Sequence, residues 1–198
     1  MRRSDPSYKG QSGYNPALLA IYDVWVLKFM ARAVWKCPIP PVVTRYRRHL
    51  GHRHLDVGPG TGYFIEHAAP PIQTEITLLD PNPHVLKHAS KRLAAWGPVV
   101  VEADVMKALP LKAIAIRNIA DVLTPDGVLF GGTVLGTREP HTRAARTFLW
   151  AFNKQGGFDN RDDTVEGLHG ILDASFRHVE IERSGSIALF SASGRRSA

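Results

Sequence analysis

The stretch LDVGPGTGYF, residues 55–64, sets glycines at 58, 60 and 62 just behind a short apolar run containing Asp56. Glycine lets a backbone turn tightly and approach a ligand closely, because no Cβ forbids the dihedrals or fills the space. A dinucleotide fingerprint needs G-x-G-x-x-G, which would place the third glycine at 63, and position 63 is tyrosine. The Asp56 carboxylate would repel a pyrophosphate and attract an ammonium group. Gly58, Gly60, Gly62 and Asp56 together therefore suit a nucleoside-bearing, cationic ligand. Two more acids follow at regular intervals. Asp80 closes the run EITLLD, where a carboxylate can accept hydrogen bonds from both hydroxyls of a ribose. Asp104 closes PVVVEAD, placed to accept from an adenine amino group.

The elements that must hold these residues alternate along the chain. RHLDV, EITLLD and PVVVEAD read as short buried strands. Between them, GYFIEHAA and PHVLKHASKRLAAW read as helices, the second with an apolar stripe of Val85, Leu86, Ala89, Leu93 and Trp96. LKAIAIRNIADVL continues as a helix with Ile116, Ile119, Val122 and Leu123 on its apolar face, followed by the turn TPDG and the strand VLFGGTVLG. Two further helices, TRAARTFLWAFNKQ and TVEGLHGILDA, precede an antiparallel hairpin of HVEIERSG and SIALFSAS. Strands separated by helices of this length predict an α/β fold with a parallel sheet. All three acids then fall at the carboxyl ends of strands, the rim where open α/β sheets bind ligands. Upstream, Asn15 as N-cap and Pro16 at the first helical position open a long apolar helix that Pro38, Pro40 and Pro41 stop.

LDVGPGTGYF, TLLDPNP and VEADV resemble, in order and spacing, motifs I, II and III of the class I S-adenosylmethionine-dependent methyltransferases. TPDGVLFGGTVLG resembles their fifth-strand segment, and the likeness extends from the apolar helix before the first strand to the closing hairpin. Within that family the chain resembles small bacterial and fungal enzymes that methylate small molecules. The resemblance implies a Rossmann-like, mostly parallel sheet with helices on both faces and a C-terminal antiparallel hairpin, in one domain over 1–198 with a helical cap over 1–50 and the core over 51–198. It implies that S-adenosyl-L-methionine is the cofactor, with Asp56, Gly58, Gly60 and Gly62 around its methionine part, Asp80 followed by Pro81 at the ribose, and Asp104 with Val105 at the adenine. It implies methyl transfer to a small-molecule acceptor, and names no catalytic base in this chain.

One segment departs from the family pattern. A helix, a fourth strand and another helix normally separate motif III from the fifth strand, whereas here only residues 105–125 lie between them. An unfilled central position would leave buried backbone groups unpartnered, at about 1 to 3 kcal/mol each. Either the fifth strand moves beside the first to give a six-strand sheet, or LKAIAI extends and replaces the fourth strand, or an internal deletion leaves a chain that folds poorly. The helix formers leading into Pro-Asp-Gly favour the first. A methyltransferase-derived protein that binds cofactor without turnover, or serves as a scaffold, is the alternative from another class.

Other chemistries find less support. Arg138, Glu139 and His141 follow the predicted fifth strand and could face an acceptor. Tyr14, Tyr22, Trp25 and Trp35 could cap the cofactor, or simply pack the N-terminal helix on the sheet. His49, His52 and His54 lack nearby acids or cysteines at ligand spacing, so no metal is expected. His84 and His88 share a helix face without the acid of HExxH and read as surface residues. Cys37, the single cysteine, has no identifiable base. The 198 residues, 44% apolar and 22% charged, are enough for one folded domain without disulfide or metal staples. No signal sequence and no apolar run of the roughly 18 residues a membrane span needs is present, so a cytoplasmic protein with no membrane partner is expected. The net charge of +7 raises an RNA methyltransferase as a further alternative. The basic residues are scattered, however, and TRYRRHLGHRH reads as a solvated helix face running into the first strand. Composition leaves the oligomeric state open.

Overall fold

The structure, a computed structural model, describes residues 30–104, 112–155, 158 and 160–196. They fall into two compact units, one holding Pro38–Asp104 with the residues before Val34, the other holding Val34–Cys37 with the chain after Asp104. Asn15, Pro16, Tyr14, Tyr22, Trp25 and Val105 lie outside the described residues, while residues 30–34 at the end of the predicted N-terminal helix are helical.

The first unit starts with α1, Ile39–His49, where Pro40 and Pro41 sit in the first turn. These prolines were expected only to stop a helix. They also start one, because the first-turn N–H groups have no intrahelical partner to lose. Then follow β1 (Arg53–Val57), α2 (Tyr63–Ala68), β2 (Glu75–Asp80), α3 (Pro83–Arg92), a 3₁₀ turn at Ala94–Trp96, and β3 (Val99–Glu102). The three strands pair in parallel in the order β1-β2-β3, with Asp56 opposite Leu78 and Asp80 opposite Glu102. Asn82 caps α3 by accepting from the His84 backbone N–H at 2.9 Å, with Pro83 at the first helical position. The predicted α3 stripe is buried: Leu86, Ala89 and Leu93 join Ile65, Ile76 and Leu78 in one core, with Tyr46, Leu50 and Trp96 packed against it. Burying side chains of this size stabilises by about 1.5 to 3 kcal/mol each, which fixes α2 and α3 against the sheet.

The second unit holds α4 (Lys112–Val122), β4 (Val128–Val134), α5 (Arg143–Lys154), α6 (Val165–Asp173), β5 (Phe176–Ser184) and β6 (Ile187–Arg195). Its strands run antiparallel in the order β4-β6-β5. Thr142 and Thr164 cap α5 and α6, and the Gly127 N–H closes the TPDG turn on the Thr124 carbonyl at 2.9 Å. Ile116, Ala120, Leu135, Leu172, Phe176, Ala188 and Ala192 form the core of this unit.

Two expectations about residues 105–125 are corrected. LKAIAI does not extend into a replacement strand, since Lys112–Val122 is helical. Nor is one ladder of six strands found: the hydrogen-bonded ladders among the described residues are β1-β2-β3 and β4-β6-β5, three strands each. The predicted stripe on α4 also shifts. Ile116 and Ala120 are buried, with Leu123 packed against the same core, whereas Val122 is 68% exposed. So many apolar residues crowd this helix that its sequence alone does not single out the inward face.

Candidate functional site

The parallel strands bring the predicted acids onto one rim. Asp56 is the penultimate residue of β1, Asp80 the last of β2, and Asp104 follows β3 by two residues. Adjacent strands lie about 4.8 Å apart, so the three carboxylates are presented in sequence along one edge of the sheet.

The glycine loop springs from the same rim. Its ends are tied by the Gly58 N–H donating to the Leu79 carbonyl at 2.8 Å and the Gly62 N–H donating to Pro59 at 2.9 Å. Gly58, Gly60 and Gly62 all have positive φ, at 72°, 56° and 77°. All three thus need glycine for their dihedrals. Their surroundings differ. Among the described residues a Cβ on Gly58 or Gly60 would meet nothing within 4 Å, so these two face space that a ligand can fill. A Cβ on Gly62 would sit 3.2 Å from Leu93 Cδ1, so this glycine serves the packing of α2 onto α3. Thr61, buried between them, accepts a hydrogen bond from Arg92 Nη1 at 3.0 Å, and Arg92 Nε lies 3.5 Å from Glu66. These contacts fix the start of α2.

Asp56 is 8% exposed, and burial pushes its carboxyl up to about 6 from the ordinary 3.8. The Tyr46 hydroxyl donates to Asp56 Oδ1 at 3.4 Å and partly opposes that rise. Among the described residues no cation pairs with it. A buried carboxylate without a counter-charge is costly to ionise, and an arriving ammonium group supplies what is missing. Asp80 is half-buried and also raised by burial, while Oδ1 accepts from the Asn82 N–H at 2.7 Å, which lowers it. It thus holds the β2–α3 turn as well as standing on the rim. Pro81 forms part of the same turn and is half-buried, as is Asp104. An open glycine cradle, a buried acid with no cation beside it among the described residues and a second acid at the neighbouring strand end fit a ligand joining a nucleoside to an ammonium-bearing arm.

Tyr46 was not singled out by the sequence. The aromatic residues weighed there were Tyr14, Tyr22, Trp25 and Trp35. Trp35 packs against Phe148 and Phe158 at ring-centroid distances of 6.5 and 6.2 Å. A tyrosine in a basic helix carries no local signal of contact with an acid ten residues later.

The remaining candidates have structural employment. His141 Nε2 lies 2.7 Å from the Gly136 carbonyl, which can only accept, so Nε2 carries a hydrogen and Nδ1 accepts from Ser186 Oγ at 2.9 Å. Glu139 pairs with Arg183 at 2.8 Å and accepts from the Val165 N–H, capping the approach to α6. Arg138 makes an exposed pair with Asp162. Cys37 is buried and its thiol is raised by desolvation, opposite to what a nucleophile needs. His54 is held down to about 4 by burial and is therefore neutral at ordinary pH. Among the described residues no cluster of three His, Cys, Asp or Glu side chains could hold a metal, and no helix is long and apolar enough to cross a membrane.

Comparison with known proteins agrees with this geometry. The family model of a methyltransferase domain matches residues 55–114, which span the glycine loop and all three acids. Demethylluteothin O-methyltransferase of Streptomyces thioluteus is 33% identical over 209 residues, covering 92% of this chain and 90% of that protein. The physcion biosynthesis cluster O-methyltransferase of Aspergillus chevalieri is 29% identical, covering 97% of this chain and 98% of its own. Among solved structures, the N-methyltransferase NodS of Bradyrhizobium japonicum WM9 in complex with S-adenosyl-L-homocysteine shares the fold, with a TM-score of 0.63 at 18% identity over 98% of this chain and 100% of its own. The rim of acids, the positive-φ glycine loop and a relative matched over nearly its whole length lead to one assignment: this chain belongs to the class I S-adenosylmethionine-dependent methyltransferases.

Proposed function

We propose that this protein binds S-adenosyl-L-methionine on the carboxyl rim of its parallel sheet and transfers the methyl group to a hydroxyl oxygen of a small-molecule acceptor. The observation that carries the reading is the buried Asp56, which pairs with no cation among the described residues, beside two glycines that face space none of those residues fills. When bound, the cofactor supplies an electrophilic methyl group. Asp56 holds the ammonium of its methionine part, Gly58 and Gly60 give it room, Asp80 with Pro81 flanks the ribose, and Asp104 with Val105 receives the adenine. The oxygen specificity rests on the relatives, which are O-methyltransferases by name. The three post-strand candidates are all engaged in holding their loop, so the proposed acceptor offers an oxygen that is already ionised or electron-rich, and positioning does most of the remaining work. The catalytic unit is one domain over residues 1–198, acting in the cytoplasm without a nucleic-acid partner.

The test is transfer of a labelled methyl group to a panel of phenolic and enolic small molecules. Turnover that rises with pH through the acceptor hydroxyl's own ionisation supports the reading. Cofactor binding with no transfer to any acceptor favours the second reading, a non-catalytic member of the family, which the structural employment of Arg138, Glu139 and His141 also favours.

A further inference from the structure

We propose that Tyr46 is a positioning residue for cofactor recognition, its hydroxyl holding the Asp56 carboxylate ionised and in place for the ammonium group of the ligand. The inference rests on the cofactor site proposed above. Tyr46 comes from α1, outside every motif of the glycine loop, yet its ring is held on two sides by elements of that site. It stacks on Phe64, at the start of the helix that follows the loop, with centroids 5.6 Å apart and planes 23° from parallel. It meets the His54 ring edge-on at 6.0 Å. The hydroxyl so placed reaches Asp56 Oδ1 at 3.4 Å. A phenol has one hydrogen to donate, and donation to a carboxylate favours the ionised form, which is the form an ammonium group needs. Burial works in the opposite direction on Asp56, so the hydroxyl acts where the site is otherwise set against charge.

The test separates this role from scaffolding by truncating the ligand. S-adenosyl-L-homocysteine carries the ammonium-bearing arm, whereas 5′-methylthioadenosine keeps the nucleoside and thioether without it. Calorimetry on Tyr46→Phe is expected to show about three- to tenfold weaker binding of the first and less than about twofold change for the second, as for one charge-assisted hydrogen bond. Phe64→Leu, which loosens the ring but keeps the hydroxyl, is expected to show a smaller loss with the same ligand selectivity. Equal loss of both ligands in Tyr46→Phe, with or without a lowered melting temperature, assigns Tyr46 to the scaffold and overturns the proposal. Unchanged binding of both overturns it while leaving the cofactor site standing, whereas a wild-type protein that binds neither ligand removes the site itself.

Discussion

Asp56 and His54 are two residues apart on β1 and so point to the same face of the sheet, where burial shifts them in opposite directions. Asp56 titrates at about 6 in the folded chain against 3.8 unfolded. Its stability contribution is therefore complete below 3.8 and lost as pH rises through about 6. A shift of that size corresponds to about 3 kcal/mol. Asp56→Asn should accordingly stabilise the protein at pH 8, by about 1 to 3 kcal/mol in denaturant melts, and leave it unchanged at pH 3.5. His54, at about 4 folded against 6.5 unfolded, contributes stability that is complete above 6.5 and lost as pH falls through about 4. In the wild type the two trends oppose each other between these limits. Asp56→Asn removes one of them, so its stability should fall more steeply than that of the wild type on acidification from pH 6.5 to 4, and parallel profiles would contradict the burial argument. The glycines separate in the same way. Gly60→Ala should fold with a loss of about 1 to 2 kcal/mol from its left-handed dihedral while blocking the cradle. Gly62→Ala adds a close contact with Leu93 to the same strain and should lower the melting temperature further.

At the scale of elements, the run from β1 to β3 was legible because its period alternates cleanly between strand and helix; the structure adds Gly62 and Asn82-Pro83 at the helix starts. The acids could be placed on strand ends for the same reason. What escaped were features set by distant partners. Which strand β4 pairs with is decided by the hairpin far down the chain, so the sequence could not tell which strand of that hairpin lies beside β4. The inward face of α4 depends on α6 and the sheet beneath it, and the Tyr46–Asp56 contact depends on where α1 lands. His141 shows the same limit: its position after a strand invited a catalytic reading, whereas the structure uses both ring nitrogens to join the Gly136 carbonyl to Ser186. His141→Ala should cost about 1 to 3 kcal/mol, since it leaves the buried Ser186 hydroxyl without that partner, and should leave the pH profile of methyl transfer unchanged. A profile that loses its acidic limb would instead make His141 the base.

At the scale of the molecule, the net charge of +7 admits an RNA reading that the site does not require. If the charge is a solvated surface, RNA binding should be weak at physiological ionic strength and methyl transfer to it undetectable; tight association that falls steeply with salt would reverse that conclusion. The central claim is that the glycine loop and Asp56 hold the ammonium-bearing arm of the cofactor. Calorimetric titration of S-adenosyl-L-homocysteine into the wild type and into Asp56→Asn tests it most directly. The account predicts saturable micromolar binding to the wild type and at least about tenfold weaker binding to a variant that is folded and more stable at pH 8. No binding to the wild type at millimolar ligand, or equal affinity in the two proteins, would contradict it.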